Sequence, residues 1–231
     1  MSTRIFITGT DTGVGKTHVN AALLAALRAR GANAAPMKPV ETGVGPDHTS
    51  DLDRALSASE LEPGPDDYAA MAPYRFPLPA SPHLAAEEAD TVIEPSRILA
   101  AAELLGRHYD PLLIEGAGGL LVPITRDYST LDLCRELDAV IIVVARPSLG
   151  TLNHTWLTYR CLVDAGLRPL GVVVNAADEA ADGPVVEDNL RTIGEIVSPC
   201  PVVPCAHGQN PADVEASERT LAPLLDAVAA L

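Results

Sequence analysis

The sequence predicts an α/β fold in which a mainly parallel sheet carries helices on both faces. Three observations lead there: short β-rich runs that are apolar throughout, helical stretches with terminal signals between them, and an apolar content of Ala, Leu and Val with only 3% aromatic residues. Strands covered on both faces read as continuous apolar runs, whereas strands with one wet face alternate. With few large rings available, helix faces and buried strands must fill the core. The 231 residues, 47% of them hydrophobic, suffice for one such core, and 1–231 is read as a single domain.

The first apolar run is 4–8, followed by a glycine-rich loop and a helix expected over 16–30, stopped by Gly31. A second strand falls at 34–38. The segment 60–82 is rich in proline and poor in periodicity, and reads as a long excursion outside the core. A helix over 95–108 is entered with Pro95 in its first turn, and strands at 112–115 and 139–145 follow. The helix over 151–165, stopped by Gly166, leads to a strand at 170–175 and a short one at 202–203. The chain is expected to end in a short apolar helix over 222–231, begun near Pro223. Right-handed crossovers distribute the helices over both faces of the sheet.

Charge narrows the function. With 31 acidic against 16 basic residues the formal charge is −15, and no basic patch is concentrated anywhere, so nucleic acid and anionic membrane are excluded as partners. The opening MSTRIFITGT turns polar too soon for a signal peptide. No apolar run approaches the roughly 18 residues that a bilayer span needs. A soluble, cytoplasmic protein is expected. Cys134, Cys161, Cys200 and Cys205 are too sparse for a disulfide framework and read as free thiols, and Cys200, Cys205 and His207 lack the second ligand pair of structural zinc.

Directly after the first strand comes Gly9-Thr10-Asp11-Thr12-Gly13-Val14-Gly15-Lys16-Thr17, and then a helix. Strand, glycine loop and helix in that order form a phosphate cradle, so the fold is expected to be of the P-loop NTPase kind. Glycines turn the backbone amides inward, and the helix N-terminus adds about 0.3–1 kcal/mol of favourable potential. Lys16 falls where it reaches the β and γ phosphates, and Thr17 where its hydroxyl ligates Mg²⁺. The strict GxxxxGK[ST] pattern wants glycine at position 10; this chain has Thr10, with Gly9 one place early. A magnesium nucleotide needs a further carboxylate at the carboxyl end of another parallel strand, and Glu115 fits, with Gly116, Gly118 and Gly119 letting backbone approach the γ phosphate. Asp51 and Asp53 read equally as additional carboxylates or as a solvated helix start.

The segments TGTDTGVGKT, KPVETG, SPHLAA, EGAGGLLVP and LGTLNH together resemble dethiobiotin synthetases over nearly the whole chain. The resemblance implies a homodimer that uses ATP and Mg²⁺ to convert 7,8-diaminononanoate and CO2 into dethiobiotin, through a carbamate and its mixed anhydride with phosphate. It implies that Lys16 and Lys38 stabilise the carbamate and the transferring phosphoryl group, and that Thr17, Asp51 and Glu115 hold Mg²⁺. The nucleotide is expected against Gly13, Val14, Gly15, His18, Gly116, Ala117 and Gly118, with no side-chain role at Gly13. Asn175, alongside Pro204, Cys205 and Ala206, would read the adenine. Thr42 is expected to touch substrate. Gly150, Thr151, Leu152 and Asn153 would receive its carboxylate at a helix N-terminus, although Thr151 and Asn153 read also as simple caps. Trp156, on one face with Leu152, Tyr159 and Val163, is expected in core or dimer packing.

A partitioning or cell-division switch ATPase of related fold is the alternative. It carries a second lysine in KGGxGKT, where this chain has Asp11.

Overall fold

A computed structural model describes residues 2–45, 49–176, 182–206 and 208–231; His207 lies outside them. In chain order the elements are β1 (Arg4–Gly9), α1 (Lys16–Ala29), β2 (Ala35–Met37), β3 (Val40–Thr42), α2 (Asp51–Ala58), α3 (Pro65–Met71), β4 (Tyr74–Phe76), α4 (Pro82–Glu88), α5 (Pro95–Leu105) and β5 (Leu112–Gly119). They continue with α6 (Thr130–Glu136), β6 (Val140–Ala145), α7 (Thr151–Asp164), β7 (Pro169–Asn175), α8 (Pro184–Val197), β8 (Val202–Cys205) and α9 (Val214–Ala229).

Six strands form one sheet in the order β2-β5-β1-β6-β7-β8, every pairing parallel, as the continuous apolar runs require. Side chains alternate across it. Phe6, Ile114, Ile141 and Val143 face one apolar layer, while Ile5, Ile7, Leu113, Ile142 and Val144 face another, built on α1 and α9. β1 is central, between β5 and β6, so the loop after it opens at the middle of the sheet's carboxyl edge.

Three expectations need correction. The segment 60–82 is no excursion: it holds α3, β4 and the entry to α4, and buries Ala70, Met71, Tyr74 and Phe76 in the core. β4 pairs in parallel with β3, making a small second sheet beside the main one. Proline there starts helices, at Pro65 and Pro82, rather than preventing them. The last helix begins at Val214, capped by Asp213, with Pro223 inside it. The strand expected over 112–115 continues to Gly119, where it still pairs with Gly9.

Candidate active site

The phosphate loop is built by glycine at the places that geometry dictates. Gly13 and Gly15 take positive φ, and Gly15 caps α1 in the left-handed conformation. Gly9 substitutes for the glycine missing at Thr10: a Cβ on it would stand 2.7 Å from the Asp11 carbonyl oxygen and 2.9 Å from Lys16 Nζ. Thr10 instead donates its amide to the Val144 carbonyl, tying the loop to β6. Val14 is fully buried, and its carbonyl accepts from Asn175 Nδ2 at 2.9 Å. Arg146 Nη2 donates to the Thr12 carbonyl.

At the mouth of the loop lies a charged cluster. Glu115, 1% exposed, accepts from the Thr17 hydroxyl at 2.8 Å, from Lys38 Nζ at 2.6 Å and from Asn20 Nδ2 at 3.3 Å. Lys38, 6% exposed, also pairs with Asp51 Oδ2 at 2.8 Å. Its ammonium therefore sits between two carboxylates. Burial pulls its pKa down, but Glu115 and Asp51 outweigh burial and raise it above the ordinary lysine value, so Lys38 stays charged. Asp51, against burial, is held below the usual carboxylate range by Lys38. Lys16 differs: burial first, then the neighbouring Lys38 charge, lowers its pKa to about 8. Its Nζ rests on the Asp11 carbonyl at 3.1 Å.

These groups line a cleft of about 700 Å³ that brings together Gly13, Gly15, Lys16, Thr17, His18, Lys38, Thr42, Asp51, Glu115, Ala117 and Gly118. Gly116 lies just behind it; a Cβ there would meet the Phe6 ring at 2.8 Å, so core packing demands that glycine. A separate cleft of about 630 Å³ is walled by Pro147, Val174, Ala176, Pro204, Cys205 and Ala206, with Asn175 between it and the loop. Cys205 Sγ approaches His18 Nε2 at 3.8 Å, and burial lowers the His18 pKa. All four cysteines are free.

Gly150, Thr151, Leu152 and Asn153 are not brought to the 700 Å³ cleft of their own chain. They open α7 at the end of β6, where Leu152 and Asn153 border a surface groove with Trp156 and Leu157. Trp156 is 49% exposed, so it is no core residue, and Leu157 and Leu149 are 61% and 87% exposed.

Sequence reading gave no role to Asn20, Arg54, Val122 or the 79–82 segment, yet Asn20 bonds Glu115 and the others line the cleft. Asn20 was visible in principle, since it stands one helical turn beyond Lys16 on α1. Ser81 and Pro82 open the SPHLAA motif.

A family model described as an AAA domain matches residues 3–206. A protein of Anaeromyxobacter sp. (strain Fw109-5), named ATP-dependent dethiobiotin synthetase, is 40% identical over 209 residues, which are 90% of this chain and 92% of that protein. A protein of the same name from Methanocaldococcus jannaschii is 38% identical over 196 residues, 83% of this chain and 88% of its own. Among solved structures, the septum site-determining protein of Pyrococcus horikoshii OT3, complexed with Mg-ADP, matches with a TM-score of 0.58 at 19% identity, over 99% of this chain and 96% of that one. A ParA family ATPase from Chlorobium tepidum TLS gives 0.53 at 15% identity, over 99% and 98%. At such identities the structural likeness shows the P-loop fold alone. The sequence relatives go further: with a phosphate loop, a buried Lys38–Glu115 pair and two-fifths identity over nine-tenths of its length, the chain belongs to the ATP-dependent dethiobiotin synthetase family.

Proposed function

We propose that this chain uses ATP and Mg²⁺ to carboxylate 7,8-diaminononanoate with CO2 and to close the ureido ring of dethiobiotin, releasing ADP and phosphate. The observation that carries the reading is the Lys38 ammonium, fixed between Glu115 and Asp51 at the mouth of the phosphate loop.

One amine of the substrate adds to CO2 and loses a proton, giving a carbamate. A carbamate oxygen takes the γ phosphoryl group as ADP leaves, and the second amine attacks the carbonyl carbon of that anhydride as phosphate departs. Lys38, which keeps its proton, neutralises the carbamate and the transferring group rather than acting as a base. Lys16 and the amides of Gly13, Val14 and Gly15 hold the β and γ phosphates. Thr42 faces the same cleft and meets the diamine.

The donor set suits magnesium. Thr17 hydroxyl, Asp51 and Glu115 are hard oxygen ligands, too few to cage an ion alone, and Mg²⁺ is commonly held by one or two carboxylates with phosphate oxygens completing its shell. When bound, Mg²⁺ would offset the negative charge that develops as the phosphoryl group transfers. Asn175 supports the loop through Val14, and the cleft beside Pro204, Cys205 and Ala206, mostly apolar with Asp182 and Glu187 in its wall, receives the base.

The placing of Gly150 to Asn153 outside their own chain's cleft, beside exposed Leu149, Trp156 and Leu157, supports a homodimer in which each α7 N-terminus serves the other copy's substrate carboxylate. Four free thiols accord with a reducing, cytoplasmic setting.

The test is incubation with 7,8-diaminononanoate, bicarbonate, Mg²⁺ and ATP, following phosphate and product mass, with the diamine omitted as control. Diamine-dependent phosphate release with the ring-closed mass is expected. Phosphate release indifferent to the diamine would defeat the reading and bring the switch ATPase forward.

A further inference from the structure

We infer that Glu41, which does not line the cleft, is a positioning residue: it holds the first turn of α2 so that Asp51 is aimed at Lys38 and the metal position. The inference rests on the proposed metal role of Asp51.

Glu41 is the middle residue of β3, and by strand alternation its side chain points opposite to Val40 and Thr42, which do line the cleft. It is 2% exposed. Its Oε1 accepts two backbone amides, from Asp51 in a short bond and from Leu52 at 3.3 Å. The N-cap Ser50 accepts the next amide, from Asp53, at 3.0 Å. The first three amides of α2 are thus held from inside the protein, and this end of the helix is closed to a phosphate. The same turn is gripped from β4. Arg75, opposite Glu41 in the strand register, stands 3.5 Å from Glu41 Oε2 and donates to the Tyr68 hydroxyl, which in turn donates to Asp53.

That arrangement carries a cost. Burial raises the Glu41 pKa against its hydrogen bonds, and Glu41 Oε2 and Arg75 Nε lack well-formed partners. A buried acid with one oxygen held only by a long ion pair is unfavourable unless it accomplishes something nearby. What it accomplishes is local: the pinned amide fixes where the backbone of Asp51 stands, and from there its carboxylate reaches Lys38 at 2.8 Å.

The test compares Glu41→Ala, Glu41→Gln, Ser50→Ala and Asp51→Asn with wild type in two ways: Mn²⁺ binding to the ADP complex by electron paramagnetic resonance, and the Asp51–Lys38 separation in crystals. Glu41→Ala is expected to release Asp51 from Lys38 and weaken Mn²⁺ about 10-fold or more, the size typical of a lost outer-shell partner. Glu41→Gln keeps an acceptor for the two amides and should stay within about threefold of wild type. Ser50→Ala weakens the helix end without freeing the Asp51 amide, and should leave Mn²⁺ affinity alone. Tight Mn²⁺ binding in Glu41→Ala, with binding weakened in Asp51→Asn, overturns the positioning role. Unchanged binding in Asp51→Asn instead removes Asp51 from the metal, and the positioning role then stands or falls on whether Asp51 leaves Lys38 in Glu41→Ala crystals. If Glu41→Ala does not fold, Glu41→Gln as weak as Asp51→Asn supports charge at Glu41 and overturns positioning by its acceptor oxygen.

Discussion

Removing the Lys38 side chain leaves Glu115 buried with its ammonium partner gone, so the substitution reaches stability as well as chemistry. The resemblance carried by KPVETG gives Lys38 a part in the chemistry; the structure makes it a counter-ion to Glu115 as well. Lys38→Ala should lose about 10²–10³ in turnover, as when a group aimed at developing charge is deleted. It should also lose about 3–5 kcal/mol in urea unfolding, the scale of a buried pair broken on one side. Adding Glu115→Gln should recover most of the stability and none of the turnover; a single mutant as stable as wild type would mean that water reaches Glu115 freely. Lys16 makes a different prediction. Its pKa of about 8 in the free protein lies below the ordinary lysine value, so the group is charged below pH 8 and loses its proton above. Nucleotide phosphates require the charged form, so ATP affinity should be flat below pH 8 and fall above it, with protons taken up on binding near pH 8. Calorimetry in buffers of differing ionisation enthalpy measures that uptake, and none at pH 8 would sink the assignment. Lys16, Thr17 and Glu115 were legible because each sits at the end of a strand or start of a helix whose order along the chain fixes its place. Glu41 was not, since nothing local marks a carboxylate that works by reaching across to a different element, and Asn20 is marked only by standing one helical turn beyond Lys16.

Elements were legible where their signal was internal. The six main strands announced themselves by composition, whereas β3 and β4, three residues each, are defined by pairing with one another and by packing on the main core. Proline misled twice, in 60–82 and in α9. Pro223 lies on the exposed side of α9, where the helix tolerates one missing amide because Leu221, Leu224 and Leu225 are buried against the sheet. That contact yields a prediction about β7. A Cβ on Gly171 would fall 2.4 Å from Leu224 Cδ2 and 3.0 Å from the Pro201 carbonyl oxygen, so Gly171→Ala should push α9 outward and cost about 1–3 kcal/mol in thermal or urea unfolding. The phosphate loop lies at a distance from that seam, and nucleotide affinity should not move. A fully stable Gly171→Ala would show that Leu224 simply turns aside.

For the molecule as a whole, the exposed strip on α7 is where the proposed homodimer is tested. Leu157→Glu places a charge in the groove beside Trp156 without touching the cleft. It should give a monomer in sedimentation, with ATP still bound and turnover largely gone, at an association cost of ~2 kcal/mol or more. A wild-type protein that sediments as a monomer at full turnover would end the shared-site reading. The sheet order has a consequence in time as well as in space. β1 is made first, yet its neighbours are β5 and β6, so Ile5 waits for Leu113 on one side and for Val140 on the other. During synthesis the strand that carries the phosphate loop is therefore an unpaired apolar segment until β5 and β6 have been made, and ATP has no cradle to steady before then. Non-local parallel pairing of this kind is slow and leaves sticky edges exposed while it proceeds. A ribosome-bound segment that stops short of β5 should depend on chaperones, and the nucleotide can rescue only a chain that already includes β5 and β6.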